Sequence, residues 1–361
     1  MTRGSAVLAA AIAALAWSAG PAAAAPPERA DRSGPSFHGV VSQAPLSERD
    51  FERMAAGGVD SLRVVWAWND IEPAPGVSRF AATDRVVLLA ANHGIDLLPS
   101  VAGNAGWAGG DPTLPPIHGA SERAAWAAFL ARLVNRYGPG GEIWQGIPNR
   151  RQRRPLRIWQ IWNEPNFPRF WQPRPDAREY ARLVELSGIA IHGADPRAKV
   201  MLAGIAPVIS GVPTDRYLRE LYATRGIKRH FEIAALHPYA RGVRRLGKQV
   251  ERLRAVMRAA GDRRTPLAIT EMGWASRPSE GSPDGAATRG RRGQARMVER
   301  AYRLVERHRR DWRLRGAYWY GWQDVAEPEL RCTFCQYAGL FDVEGRAKPS
   351  WRAYRRAAST P

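Results

Sequence analysis

Eight short apolar runs recur between residues 37 and 320, each bounded by turn-forming residues and each followed by a stretch of helical apolar spacing. The runs cover 37–41, 61–66, 95–101, 157–162, 199–203, 231–236, 265–271 and 314–320. The helical stretches between and after them cover 46–56, 80–92, 121–137, 176–191, 214–224, 246–260, 294–309 and 349–356. Strands that follow one another in the same direction need long crossovers, and a helix supplies each one, so this alternation implies a parallel sheet. Eight units are enough to close it. The expected fold class is therefore α/β, a single (β/α)8 TIM barrel. An open doubly wound sheet is the alternative, but no glycine-rich phosphate-binding turn follows the first run.

The fourth run ends in Trp162-Asn163-Glu164-Pro165-Asn166, a cluster of turn-formers that leaves the carboxylate of Glu164 where the strand stops. Pro165 biases Glu164 away from helical dihedrals and stiffens its support. The seventh run repeats the pattern in Ile269-Thr270-Glu271-Met272-Gly273-Trp274. In a barrel both glutamates stand at the C-terminal face, where chemistry is carried out. Two such carboxylates are the equipment for cleaving a glycosidic bond, one as acid and one as nucleophile or base. Taken alone, either could instead serve its loop structurally.

Other residues are read around that pair. Arg63, inside the second run, can reach a neighbouring carboxylate and favour its charged form. Asn163 adjoins Glu164 and can bind a sugar hydroxyl, but regular strand alternation turns the two to opposite faces, so both serve one site only if the strand end is bent. Eight of the 14 tryptophans, Trp66, Trp68, Trp107, Trp162, Trp171, Trp274, Trp319 and Trp322, fall at or just past strand ends. Indoles stack on the apolar faces of sugar rings, so Trp68, Trp107, Trp274 and Trp319 are expected to contact substrate; core burial is the alternative for each. Glu72, in Asp70-Ile71-Glu72-Pro73, reads as structural.

Residues 1–25 have a basic start, a short apolar run and a small-residue stretch, the pattern of a cleaved signal peptide. Export is expected, with 26–35 a loose leader and 36–361 the catalytic domain. In an oxidising compartment Cys332 and Cys335 can pair as a small disulfide loop or remain two thiols. The formal net charge is +20. Its densest runs, 149–154 and 288–292, are not interleaved with aromatics, so no nucleic-acid partner is expected, and no segment beyond the signal reads as membrane-spanning. An anionic polysaccharide partner is compatible with the charge. No His-Glu-x-x-His spacing argues for a metal, and no cofactor is implied.

Trp162-Asn163-Glu164-Pro165-Asn166 together with Ile269-Thr270-Glu271-Met272-Gly273-Trp274 resembles the clan of retaining (β/α)8 glycoside hydrolases that holds cellulases, β-galactosidases and family 39, the β-xylosidases and α-iduronidases. The segment Asp70-Ile71-Glu72-Pro73 with Gly76 is similar as well. The resemblance implies Glu164 as acid/base, Glu271 as nucleophile and Asn163 on the 2-hydroxyl. It further implies that Arg63 supports the nucleophile, that His237 or Tyr239 lies beside it, and that Trp319 floors the first sugar subsite. Gly103-Asn104-Ala105-Gly106-Trp107 departs from it, lacking the histidine that many cellulases carry there.

The resulting expectation is a secreted retaining glycoside hydrolase that cleaves O-glycosidic bonds, β-linked, of an oligo- or polysaccharide. A transglycosylase uses the same chemistry with a sugar acceptor. A catalytically silent barrel that binds anionic polysaccharide through basic patches and tryptophans is the alternative from another class.

Overall fold

The computed structural model describes residues 37–42, 44–207, 210–278, 288–327, 332 and 334–359, so the expected signal segment and leader lie outside the described residues. Strands β1 (His38–Val41), β2 (Ser61–Ala67), β3 (Asp96–Ala102), β4 (Ile158–Ile161), β5 (Lys199–Ile205), β6 (Ile233–Leu236), β7 (Leu267–Met272) and β8 (Leu314–Tyr320) pair in chain order. All pairings are parallel, and β8 returns to β1, which closes the barrel.

The helices are α1 (Glu48–Ala56), α2 (Trp68–Ile71), α3 (Ala81–Asn92), α4 (Ala120–Tyr137), α5 (Ala177–Ala194), α6 (Thr214–Ala223), α7 (Val243–Ala259), α8 (Gly290–Arg307) and α9 (Pro349–Ala358). Local chemistry sets their starts. The side chain of Asp50 accepts from both the amide and the hydroxyl of Ser47 at the head of α1, and Asp176 accepts from the amides of Arg178 and Glu179 at the head of α5. The short α2 falls between the second run, 61–66, and the helical stretch 80–92, where the sequence pattern announces no element; four residues carry too little periodicity to do so.

Apolar side chains fill two layers. The larger cluster lies between sheet and helices, and a smaller one of Val41, Leu98, Met201, Ile233, Ala235, Ala268 and Tyr318 plugs the barrel. A Cβ on Gly39 would stand 2.2 Å from the Tyr318 ring, so the missing side chain there makes room for the tyrosine, whose hydroxyl meets Ser61 Oγ at 2.9 Å. This plug closes the N-terminal half of the barrel and leaves polar residues to line the other end. The basic loop 138–155 lies at the N-terminal face: Arg154 approaches Asp96, the first residue of β3, at 3.4 Å.

Candidate active site

The polar layer above the plug begins with alternation along β2. Ser61 faces into the barrel, and Arg63, two residues on, does so one level higher, where it is fully buried. Its guanidinium donates to Gln160 Oε1 at 2.6 Å, Glu271 Oε1 at 2.6 Å, Asn163 Oδ1 at 2.9 Å and Ser100 Oγ at 3.3 Å. A buried guanidinium is stable only when its fork of donors is satisfied, and acceptors on or just past three strands, β3, β4 and β7, do that here. Gln160 is held in turn by donating to Leu202 O and Thr270 Oγ1.

Glu164 and Glu271 reach this layer through two departures from regular strand geometry. Trp162 and Glu164 both adopt left-handed backbone conformations, with φ of 73° and 42°, immediately after β4. That bend satisfies the condition set by the adjacency of Asn163 and Glu164, since Asn163 meets Arg63 while Glu164 meets His237. In β7 the register with β8 shifts between Ile269 and Met272. Successive residues of a regular strand point to opposite faces, yet Thr270 touches Gln160 and Glu271 touches Arg63, both inside the barrel.

The carboxylates have different surroundings. Glu271 accepts from Arg63 at one oxygen and from the Tyr239 hydroxyl at the other, 2.6 Å away. Glu164 lies 2.7 Å from His237 Nδ1, and burial raises its carboxyl pKa from 4.5 to about 7 against the opposing charges of Arg63 and Arg169. Burial likewise pushes His237 down to about 3, so its ring is neutral. His237 Nε2 has no partner among the described residues, and a bare acceptor is less costly than a bare donor, so the favoured tautomer carries its proton on Nδ1 and donates to Glu164. A Cβ on Gly204 of β5 would stand 2.0 Å from that Nε2, so the glycine is what admits the imidazole.

His237 Nδ1 also lies 3.5 Å from Glu271 Oε2, and one donor atom from each of Glu164, His237 and Glu271 falls within 4.8 Å of the other two. Such a trio could face a metal ion, but both oxygens of Glu271 are already engaged by Arg63 and Tyr239, and the guanidinium charge repels a cation. The donor set fits proton chemistry between carboxyls better than a metal.

Arg63, Asn163, Glu164, His237, Tyr239 and Glu271 thus converge. The tryptophans do not. Trp68, Trp274 and Trp319 are 0 % exposed, and Trp66, Trp162, Trp171 and Trp322 are buried too, which corrects the expectation of an indole-lined cleft. Their N–H groups are used internally, Trp68 on Glu72 Oε2, Trp274 on Ala240 O and Trp319 on Ala338 O. Trp107 is half-buried, edge-on to Trp68 and bonded to Glu72 O. Glu72 is structural, bonded to Trp68, Gly76 and Arg132.

Partly exposed aromatics stand instead beside Glu271. Phe334 packs on Tyr239 at 4.8 Å between centroids, and Tyr320 lies 6.1 Å from each. Cys332 and Cys335, which flank Phe334, are joined by a disulfide. Val65 continues the inward series of β2 and is 56 % exposed. Sequence reasoning missed Gln160, Ser100, Gly204, Tyr320 and Phe334; for the first three the signal available was a polar or glycine residue interrupting an apolar strand, and the two aromatics carried none.

No family model and no curated protein matches this chain. Solved structures do share its fold. A family 39 glycoside hydrolase from the gut symbiont Bacteroides cellulosilyticus WH2 aligns over 90 % of this chain and 64 % of its own, with a TM-score of 0.67 at 20 % identity. The GH39 enzyme from Xanthomonas axonopodis pv. citri aligns over 89 % and 66 %, with 0.63 at 18 %. A monomeric beta-xylosidase from Caulobacter crescentus CB15 aligns over 91 % and 69 %, with 0.62 at 18 %. The chain therefore spans under two thirds of the length of the first two. All three are similar in the barrel that the sequence resemblance implies.

Proposed function

We propose that this protein is a retaining glycoside hydrolase that acts on an oligo- or polysaccharide. The observation that carries the reading is that one carboxylate oxygen of Glu164 and one of Glu271 lie within 4.8 Å of each other, in opposite surroundings, at the C-terminal mouth of the barrel. Double displacement needs carboxyl groups about 5 to 5.5 Å apart, whereas inversion needs about 6.5 to 9.5 Å to admit a water.

In the first step Glu164, protonated below about pH 7, gives its proton to the glycosidic oxygen while a Glu271 oxygen attacks the anomeric carbon. The C–O bond to the leaving group breaks and a glycosyl ester forms. Glu164, now a carboxylate, takes a proton from water as that water attacks the same carbon, and Glu271 is released. Asn163 Oδ1 is occupied by Arg63, so its Nδ2 is the donor left for a sugar hydroxyl. Tyr239 and Arg63 hold the nucleophile while charge leaves it. A sugar hydroxyl replacing water makes the same steps a transglycosylation. The signal-like 1–25 segment supports action outside the cytoplasm.

A panel of aryl β-glycosides and oligosaccharides, run on the wild type, Glu164→Gln and Glu271→Gln, tests the reading. Hydrolysis lost in both variants, with the first-formed product keeping the substrate's anomeric configuration by NMR, is the expected result. An inverted first product removes the nucleophile from Glu271. Binding without cleavage across the panel, unchanged in both variants, would favour the silent barrel.

A further inference from the structure

Helices α7 and α8 pack beside each other on the outside of the barrel and leave a groove of about 610 Å³ lined by six arginines. Arg241, Arg244 and Arg245 come from the head of α7, and Arg300, Arg303 and Arg307 from α8. All six are exposed, and among the described residues none is ion-paired. The acids of these helices are placed elsewhere. Glu306 bonds His38 Nε2 at 2.8 Å, Glu299 bonds Arg356, and Glu251 does not line the groove.

Two further features raise the positive potential. The first turn of α7 carries no acidic residue and its N-cap, Gly242, has no capping side chain, so the amide ends of the helix add to the arginines. Arg300, Arg303 and Arg307 recur at helical spacing on one face of α8, a row about 10 Å long. Arg289 at the head of α8 donates to the carbonyl of Arg241, which ties the two loops above the groove together. Like charges gathered without counter-charge oppose folding, and an elongated anion would relieve that repulsion.

We propose that the α7–α8 groove binds a linear acidic polysaccharide, one bearing carboxylates or sulfates along its length, outside the catalytic cleft. The remaining lining, Gly242, Val243, Met297 and Leu304, is apolar. It offers no aromatic face on which nucleic-acid bases would stack. The choice of a glycan rests on the glycoside hydrolase reading of the cleft; the charge of the groove does not.

The full chain is titrated with fluorescein-labelled polygalacturonate and with heparin, with neutral xylan and duplex DNA alongside, at several salt concentrations. Arg244→Gln/Arg300→Gln/Arg303→Gln is compared with Arg150→Gln/Arg151→Gln/Arg197→Gln, which removes the same charge from exposed arginines elsewhere. The groove triple is expected to bind the acidic polysaccharides about tenfold more weakly at roughly 0.1 M salt, and the matched triple less than about twofold more weakly. Turnover of a small neutral aryl glycoside stays at the wild-type rate in both. Equal weakening in the two triples reduces the effect to net charge and overturns the proposal, as does no weakening in either. Tighter binding of duplex DNA through the same arginines overturns the choice of partner. Groove binding that persists while no glycoside is cleaved sinks the catalytic reading and leaves the groove standing.

Discussion

Glu164 and His237 share a short bond inside a buried layer, and each is held in its neutral form by burial. For the carboxyl, the folded pKa near 7 lies above the ordinary 4.5, so its contribution to stability is present below about pH 4.5 and is lost as pH rises through 7. Glu164→Gln removes that penalty. Urea unfolding should find the variant more stable than the wild type by up to about 3 kcal/mol at pH 8 and equal to it at pH 4. In the wild type, kcat/KM for an aryl glycoside should fall as pH rises above about 7, where the acid loses its proton. Tyr239→Phe deletes one of the two donors to Glu271 without changing shape. Steady-state kinetics should show kcat about tenfold lower or more, with a circular dichroism spectrum like that of the wild type.

At the scale of elements, the irregular positions do the positioning. A regular β7 cannot turn both Thr270 and Glu271 inward, and the register shift after Ile269 lets it. A regular end to β4 cannot give Asn163 and Glu164 to one site, and the left-handed turns at Trp162 and Glu164 bring them there. β5 contributes by subtraction. Gly204→Ala places a methyl group 2.0 Å from His237 Nε2 on a rigid strand, so the imidazole must move off Glu164. Activity should drop more than about tenfold and stability by roughly 1 to 3 kcal/mol, both measured on the same folded variant. A stability loss with full activity would mean that His237 has no part in setting Glu164.

Across the whole molecule, a buried ion pair ties the C-terminal helix to the segment that follows β8. Lys348, the N-cap of α9, donates to Asp324 at 2.8 and 3.0 Å, to Ser276 Oγ and to Tyr337 O at 3.2 Å each, and its side chain is fully buried. Burial holds its ammonium down to about 8. Removing one partner of such a pair strands the other charge, so Lys348→Met should cost about 3 to 5 kcal/mol in chemical denaturation. The double change Lys348→Met/Asp324→Leu should recover most of it. The six arginines of the α7–α8 groove are a property of the same scale, since they come from helices separated by β7.

The barrel was legible from residues 37–320 because each strand and helix announces itself by its own period, and a parallel order follows from alternation alone. The glutamates were legible for the same reason: turn residues directly after an apolar run put a side chain at a strand end whatever the rest of the chain does. The tryptophans were not. Trp319 and Trp274 occupy strand-end positions as regularly as Glu164 does, yet which way an indole faces depends on the carbonyls of Ala338 and Ala240, brought to it by distant loops. Gln160, Gly204 and the arginine groove were hidden likewise. Position along an element is a local property that sequence pattern encodes, whereas the partner a side chain meets across the barrel exists only once the chain has closed.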